Sequence, residues 1–125
     1  MFKLFVALGA ANAFLSIALG AFGAHGLKNK LSAHYLDIYH TGVQYHMLHA
    51  VGLILIGILA GKLADGQNAL IGWAGWLMFA GIVLFSGSLY LLSVTRIDGL
   101  GAITPIGGLL FLASWLLVIV AVLKA

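Results

Sequence analysis

The chain has 125 residues, of which 63% are hydrophobic and 7% are charged, whereas about 25% of the residues of a typical soluble domain are charged. A water-soluble fold could not bury so much apolar surface, so the composition excludes a soluble domain. The net charge is +3, but the basic residues form no cluster of the kind that binds nucleic acid. The absence of cysteine excludes disulfides and thiolate metal sites.

Four apolar runs fill almost the whole chain. A hydrocarbon core about 30 Å thick takes about 20 helical residues to cross, and each run has that length or comes within a residue of it. The first run is too long for the apolar region of a signal peptide, so we interpret it as a span. The runs are Leu4–Leu27, Ile38–Gly61, Ala69–Thr95 and Pro105–Leu123. We therefore predict a single all-α integral membrane domain over residues 1–125.

Helix start signals refine the bounds of the second and fourth spans. Ser32 is a favourable cap residue, which predicts that the second helix begins at Ala33 and continues to Gly61, with its first turns projecting into the headgroup region. Asp65-Gly66 is typical of a turn before span three. Thr104 followed by Pro105 predicts a cap and a first helical residue for span four.

The loops between the spans are short, so neighbouring spans run antiparallel. This predicts an up-down-up-down four-helix bundle with both termini on one side of the membrane. The positive-inside rule counts basic residues in short loops, and it gives three on each side: Lys3, Lys62 and Lys124 against Lys28, Lys30 and Arg96. The free N-terminal amine favours cytoplasmic termini, and the tie leaves insertion in both orientations open.

Small and polar residues recur at helical spacing on one face of span one, at Gly9, Asn12, Ser16, Gly20 and Gly23. Small residues let helix backbones approach closely in lipid, so we expect this face and a similar one on span three to point into the bundle. Two interpretations stay open: a packing seam, or the lining of a substrate path. We also expect a homo-oligomer.

Histidines are the most unusual polar residues of the spans. His46 and His49 share one face of the second helix and are expected to face the protein interior, since ionisable groups in hydrocarbon are costly. His25 closes span one, and a second strip on span two carries Gln44. We consider three roles for the histidines: hydrogen-bonding between helices, proton or solute handling, and ligation of a metal or haem, for which His46 and His49 alone offer too few ligands.

No motif of a known catalytic site is present, so we expect a protein that is not an enzyme and needs no cofactor. Ser86 and Ser88 lack an acidic partner at membrane depth. Arg96 either closes the loop before span four by pairing with Asp98, or binds an anionic headgroup or solute together with the start of span four.

Four ordered motifs, at Gly20–Leu27, Tyr45–Ala50, Phe85–Tyr90 and Gly101–Phe111, resemble those of the YwdK/YgdD-like family of small bacterial inner-membrane proteins, a domain of unknown function. The resemblance implies a multi-pass plasma membrane protein and brings no established activity with it. It also implies that a set of residues belongs to the family pattern, namely His25, Tyr45, His49, Ser86, Ser88, Thr104 and Pro105.

The expected function is binding or conduction of a small solute or lipid through an interhelical polar cavity. The rival hypotheses are an assembly role with a larger membrane complex, and a histidine-ligated metal or haem protein. The candidate binding residues are His25, His49, His46, Asn12, Ser16, Gln44, Tyr45, Ser86, Ser88 and Arg96, with no catalytic and no metal-ligating residue assigned.

Overall fold

The computed structural model describes residues 1–125 as helices joined by short loops. In chain order these are α1 (Phe2–His25), α2 (Ala33–Ala60), α3 (Asp65–Gly81), a π-helical turn (Ile82–Ser86), α4 (Gly87–Thr95), a short 3-10 helix (Asp98–Ala102) and α5 (Thr104–Lys124). Spans one, two and four correspond to α1, α2 and α5. Span three comprises α3, the π turn and α4. All four are long and apolar enough to cross a membrane, so the all-α four-span prediction is confirmed.

Local side chains account for where two of these helices begin. The α2 helix begins at Ala33, as predicted, and the Ser32 hydroxyl accepts the N–H of Tyr35 at 3.4 Å. The α3 helix begins at Asp65, four residues earlier than the predicted span three. A negative charge in the first turn interacts favourably with the helix dipole, so Asp65-Gly66 lies within the first turn of the helix instead of in a separate loop.

The start of α5 differs from its prediction by one residue. Ile103 precedes the helix and Thr104 is its first residue, with Pro105 in the first turn. The Thr104 hydroxyl therefore does not cap the helix. It lies 2.6 Å from the Ser88 hydroxyl of α4, so this side chain joins spans three and four.

The spans form an up-down-up-down bundle in which the two outer spans contribute less to the interior than the two middle spans. Span one packs chiefly on span two, span four packs on span three, and span two contacts span three along its length. Hydrogen bonds join helix ends and loops at each end of the bundle. Tyr35 donates to Asp98 at 3.1 Å and Arg96 to the Lys30 carbonyl at 3.3 Å. At the other end Gln67 donates to the Lys124 carbonyl at 3.2 Å.

Glycines allow the closest approaches between helices. A Cβ at Gly9 would lie 2.7 Å from the Ala50 carbonyl oxygen of span two, and a Cβ at Gly107 would collide with the backbone of Phe85. Backbone atoms cannot move aside as a flexible side chain can, so both positions require glycine. In span one, the predicted inward face is confirmed at Gly9, Asn12, Ser16 and Gly23, which are all buried.

Two apolar clusters lie inside the bundle at different heights. The larger has ten buried residues and includes Phe5, Leu53 and Met78, towards the end that carries the termini. The smaller is formed by Leu27, Tyr39 and Val43, towards the opposite end. Asn12, His46 and Ser86 are buried polar side chains at the level between these clusters, and the candidate site lies there.

Candidate binding site between the spans

The π-helical turn shapes span three at this level. The N–H of Gly87 bonds to the carbonyl of Ile82, five residues back, and such turns insert one extra residue into a helix and are frequent at functional sites. Here the turn has contacts on two sides. Gly107 of span four packs on the backbone of Phe85, and the Ser86 hydroxyl donates to the Gly42 carbonyl of span two at 2.8 Å. The turn therefore brings three spans together.

His46 lies at the centre of a polar cluster contributed by spans one, two and three. Its Nε2 is 2.9 Å from Asn12 Oδ1 and its Nδ1 is 2.9 Å from the Tyr90 hydroxyl. The Asn12 amide nitrogen donates to the Leu8 carbonyl at 2.8 Å, which orients the amide oxygen towards His46. A carbonyl oxygen only accepts, so Nε2 carries the proton, and in the neutral ring Nδ1 accepts from Tyr90.

His49, one turn further along span two, has a different environment. Its Nδ1 lies 2.8 Å from the backbone carbonyl of Tyr45, and a carbonyl requires a donor. The Nε1–H of Trp115 on span four donates to its Nε2 at 3.0 Å. The ring stacks on Phe111, with 3.5 Å between centroids and 7° between planes. His49 is therefore the Nδ1–H tautomer, the opposite of His46.

A groove of about 320 Å³ leads from the bilayer to the His46 cluster. Its polar lining consists of Asn12, His46, Ser86 and Tyr90. Its rim includes Leu15 and Val83, which are 47% and 53% exposed on the lipid-facing surface. Because apolar side chains form the entrance and polar side chains the inner wall, we call it the polar groove.

A second groove lies on another side of the bundle, beside His49. It has a volume of about 600 Å³ and is lined largely by aromatic and aliphatic side chains, among them Tyr45, Phe85, Phe111 and Trp115. Gly108 also lines it, and a Cβ there would make only ordinary contacts with Phe85, at 3.8 Å and beyond. We call this the aromatic groove. His49 is the only histidine that lines it, and both of its ring nitrogens are already hydrogen bonded.

The structure brings four of the predicted site residues into or beside the polar cluster. Asn12, His46 and Ser86 line the polar groove, and Ser16 is buried one turn along α1 from Asn12. The Ser16 hydroxyl donates to the Ala13 carbonyl of its own helix at 2.9 Å. Ser16 thus lies on the inward face of span one and makes no hydrogen bond to another span.

Other predicted residues lie elsewhere. His49 and Tyr45 line the aromatic groove, so the two histidines do not share a cavity. His25 is exposed at the end of α1 and lines neither groove. Gln44 is also exposed, so the expectation that its strip turns inward is not met; Gly42, Val43 and His46 occupy the interior at that level.

Ser88 and Arg96 have structural contacts away from both grooves. The Ser88 hydroxyl donates to the Phe85 carbonyl at 2.9 Å and pairs with Thr104. Arg96 adopts a left-handed backbone conformation with φ 61 and reaches the Lys30 carbonyl. Of the two roles considered for Arg96, closing the loop region is the one its contacts match, although its partner is Lys30 and not Asp98.

Two hydrogen-bond partners of the histidines, Tyr90 and Trp115, were not among the predicted site residues. The position of Tyr90 near the end of span three is typical of an aromatic residue at the membrane interface. Its hydroxyl nevertheless reaches His46, because side chains on a helix tilt towards the amino end of the helix, which for α4 is the end nearer the membrane centre. Trp115 carries no pattern that distinguishes it from other lipid-facing aromatics. Its indole N–H, which usually finds a partner when buried, was the only available signal.

The donor geometry gives the metal or haem hypothesis no support. Both ring nitrogens of His46 and His49 are engaged in hydrogen bonds, so ligation would require breaking them. The chain also brings together no group of three or more His, Cys, Asp or Glu side chains that could hold a metal ion.

Comparison with known proteins identifies relatives over nearly the whole chain. The UPF0382 membrane protein YwdK of Bacillus subtilis (strain 168) is 59% identical over 122 residues, 98% of each chain. The UPF0382 membrane protein SH2409 of Staphylococcus haemolyticus (strain JCSC1435) is 52% identical, over 98% of this chain and 97% of its own. No solved structure matches.

The model of the family described as "Protein of unknown function (DUF423)" matches residues 19–108, which contain His46, Tyr90 and the π turn, whereas Asn12 lies outside the matched residues. This match and the relatives confirm the resemblance inferred from the four motifs. The chain therefore belongs to the DUF423 family, and its named relatives are membrane proteins.

Proposed function

We propose that the protein is a non-enzymatic binder of a small solute or lipid, which it takes up from the bilayer into the polar groove. One observation carries this proposal: side chains of three spans place hydrogen-bonding groups at the inner end of a groove whose entrance is lipid-facing. Polar groups in hydrocarbon are costly and usually mark a functional path or site. We place the protein in the bacterial plasma membrane with cytoplasmic termini.

Binding is better supported than conduction because of what lies above and below the polar cluster. The ten-residue apolar cluster closes the bundle towards the termini, and Leu27, Tyr39 and Val43 close it towards the other end. A solute crossing the membrane would need polar partners along the whole path. A ligand that enters sideways from the bilayer needs no such polar path, since the groove is open at its rim.

Two glycines offer a matched test. Gly87 lines the polar groove and a Cβ there would meet nothing within 4 Å. Gly108 lines the aromatic groove with similar freedom. Leucine at either position fits the helix. At position 108 it enters the aromatic groove, and at position 87 it enters the polar groove and an adjoining groove that is lined by Ser88 and Leu91 but contains no histidine. Both variants also gain helix propensity over glycine, so neither is expected to unfold the protein.

The experiment compares small molecules that copurify with each variant from cell membranes in mild detergent, by native mass spectrometry. The proposal expects a bound species on the wild type and on Gly108→Leu, and its loss from Gly87→Leu. A wild-type protein with no bound small molecule, or equal retention by Gly87→Leu, would contradict it.

A second candidate is an assembly role through a homo-oligomer, and Gln44 favours it. Gln44 is exposed and lies about 24 Å along α2 from Ala60, inside a hydrocarbon core about 30 Å thick. Its amide both donates and accepts, so it can pair with the same residue of a second copy across a two-fold axis. On this hypothesis Gln44→Leu converts an oligomer to a monomer in crosslinking within vesicles, whereas Gly87→Leu does not.

A further inference from the structure

We infer that the ligand of the polar groove is an uncharged apolar molecule bearing a hydroxyl or primary amide group, which contacts Asn12 and Tyr90. This inference rests on the proposed function and names the class of molecule that the groove takes. It depends on the depth of the cluster in the membrane and on the hydrogen-bonding capacity that the protein leaves unused there.

The depth of the polar cluster in the membrane excludes a charged group on the ligand. Asn12 lies about 15 Å along α1 from Phe2, and His46 lies near the middle of the 28-residue α2. Both are thus near the centre of a hydrocarbon core about 30 Å thick. The six basic and three acidic residues of the chain all lie at helix ends or in loops. No protein charge is therefore available at this depth to balance a charge on the ligand, which would be costly to bury.

His46 itself has no capacity left, since both ring nitrogens are paired. It acts as a positioning residue that holds the Asn12 amide and the Tyr90 hydroxyl in place. The unused capacity belongs to its neighbours. The amide nitrogen of Asn12 carries two hydrogens, of which one bonds to the Leu8 carbonyl. Asn12 is 7% exposed, so the second N–H is a nearly buried donor without a protein partner.

Acceptor capacity remains on two hydroxyl oxygens that line the same groove. Tyr90 donates to His46, and Ser86 donates to the Gly42 carbonyl, so each keeps lone pairs that accept from no other side chain. A ligand group that complements these atoms must accept one hydrogen bond from Asn12 and donate one to Tyr90 or Ser86. A hydroxyl or a primary amide does both, whereas an alkyl end does neither.

The test uses three photoreactive probes of equal length in lipid nanodiscs: a long-chain alcohol, the analogue with methyl in place of hydroxyl, and the corresponding carboxylate. Labelled peptides are mapped by mass spectrometry in the wild type, Gly87→Leu, Gly108→Leu and Tyr90→Phe. One net hydrogen bond corresponds to about tenfold in binding. We expect the alcohol to label peptides of the polar groove about tenfold more efficiently than the methyl and carboxylate probes.

The outcomes together distinguish this inference from the proposed function. Loss of alcohol labelling in Gly87→Leu, its persistence in Gly108→Leu and a reduced alcohol preference in Tyr90→Phe support both. Equal groove labelling by alcohol and methyl probes, still abolished by Gly87→Leu, overturns the inference and leaves the binding groove standing. Preference for the carboxylate also overturns the inference. Absence of labelling in the groove by all three probes overturns both.

Discussion

The two histidines of span two lie one turn apart and yet have unlike environments. His46 bonds to side chains of two other spans, Asn12 and Tyr90, beside the groove with unused hydrogen-bonding capacity. His49 bonds to a backbone carbonyl of its own helix and to Trp115, and it stacks on Phe111. The comparison shows that an intramembrane imidazole can link side chains of two other spans or form part of an aromatic wall.

The largest expected difference between the two is in stability. His46→Leu leaves Asn12 Oδ1 and the Tyr90 hydroxyl without partners in the bundle, and an unpaired buried polar group costs about 1 to 3 kcal/mol. We expect a loss of about 3 kcal/mol. In His49→Leu the Tyr45 carbonyl loses a second partner but stays within the backbone hydrogen bonding of α2. Only the Trp115 N–H is left with no partner, so we expect a loss of about 1 kcal/mol. The free energy of unfolding by denaturant in mixed micelles measures both, and equal losses would show that the two environments are energetically alike.

A substitution at Gly107, where span four packs on the π turn, tests the environment of His49. Gly107→Ala places a methyl group against the Phe85 backbone, and overpacking of this kind costs about 1 to 3 kcal/mol. Phe85 lines the aromatic groove, so we expect about 2 kcal/mol of destabilisation and a shifted Trp115 fluorescence in a variant lacking Trp73 and Trp76. Gly87→Ala, which has open space, is the control. An equally stable Gly107→Ala would refute the close approach of span four.

Double-mutant cycles test whether the two clusters are separate. His46→Leu with Tyr90→Phe is expected to show a coupling energy of about 1 kcal/mol, as is His49→Leu with Trp115→Phe. Tyr90→Phe with Trp115→Phe should show coupling near zero, because the two residues share no partner. Substantial coupling across this last pair would mean that one network connects both grooves.

The last prediction concerns the histidine tautomers and requires no mutation. Nitrogen NMR of isotope-labelled protein distinguishes the two neutral tautomers of histidine. We expect the proton on Nε2 of His46 and on Nδ1 of His49, as the acceptors around each ring require. The same tautomer at both positions would contradict the assigned hydrogen-bond partners.

Much of the fold could be predicted because lipid simplifies the sequence pattern. Span length follows from membrane thickness, and Ser32 marks a helix start that the structure retains. The inward face of span one could be predicted because Gly9, Asn12 and Ser16 are small or polar residues in an otherwise apolar helix. Asn12 and His46 could be matched as polar groups that each need a partner from another helix.

The rest depended on details that no sequence pattern encodes. The π turn is formed by the ordinary residues Ile82–Ser86, and it decides which side of α4 faces inward. Gln44 is as polar as Asn12 and yet is exposed, since helix rotation is set by close packing at glycines such as Gly9. His25 and His49 were expected to line one interhelical cavity, but His25 is exposed at the end of α1 and lines neither groove.

The π turn also restricts the length of the chain at one point. It adds one residue to span three, and one residue turns an α-helix by about 100°. A single-codon deletion within Ile82–Ser86 would give a more regular helix and rotate Tyr90 away from His46 by that angle. The residue count of this segment is therefore fixed by the pairing of Tyr90 with His46, a constraint that surface loops of similar size escape.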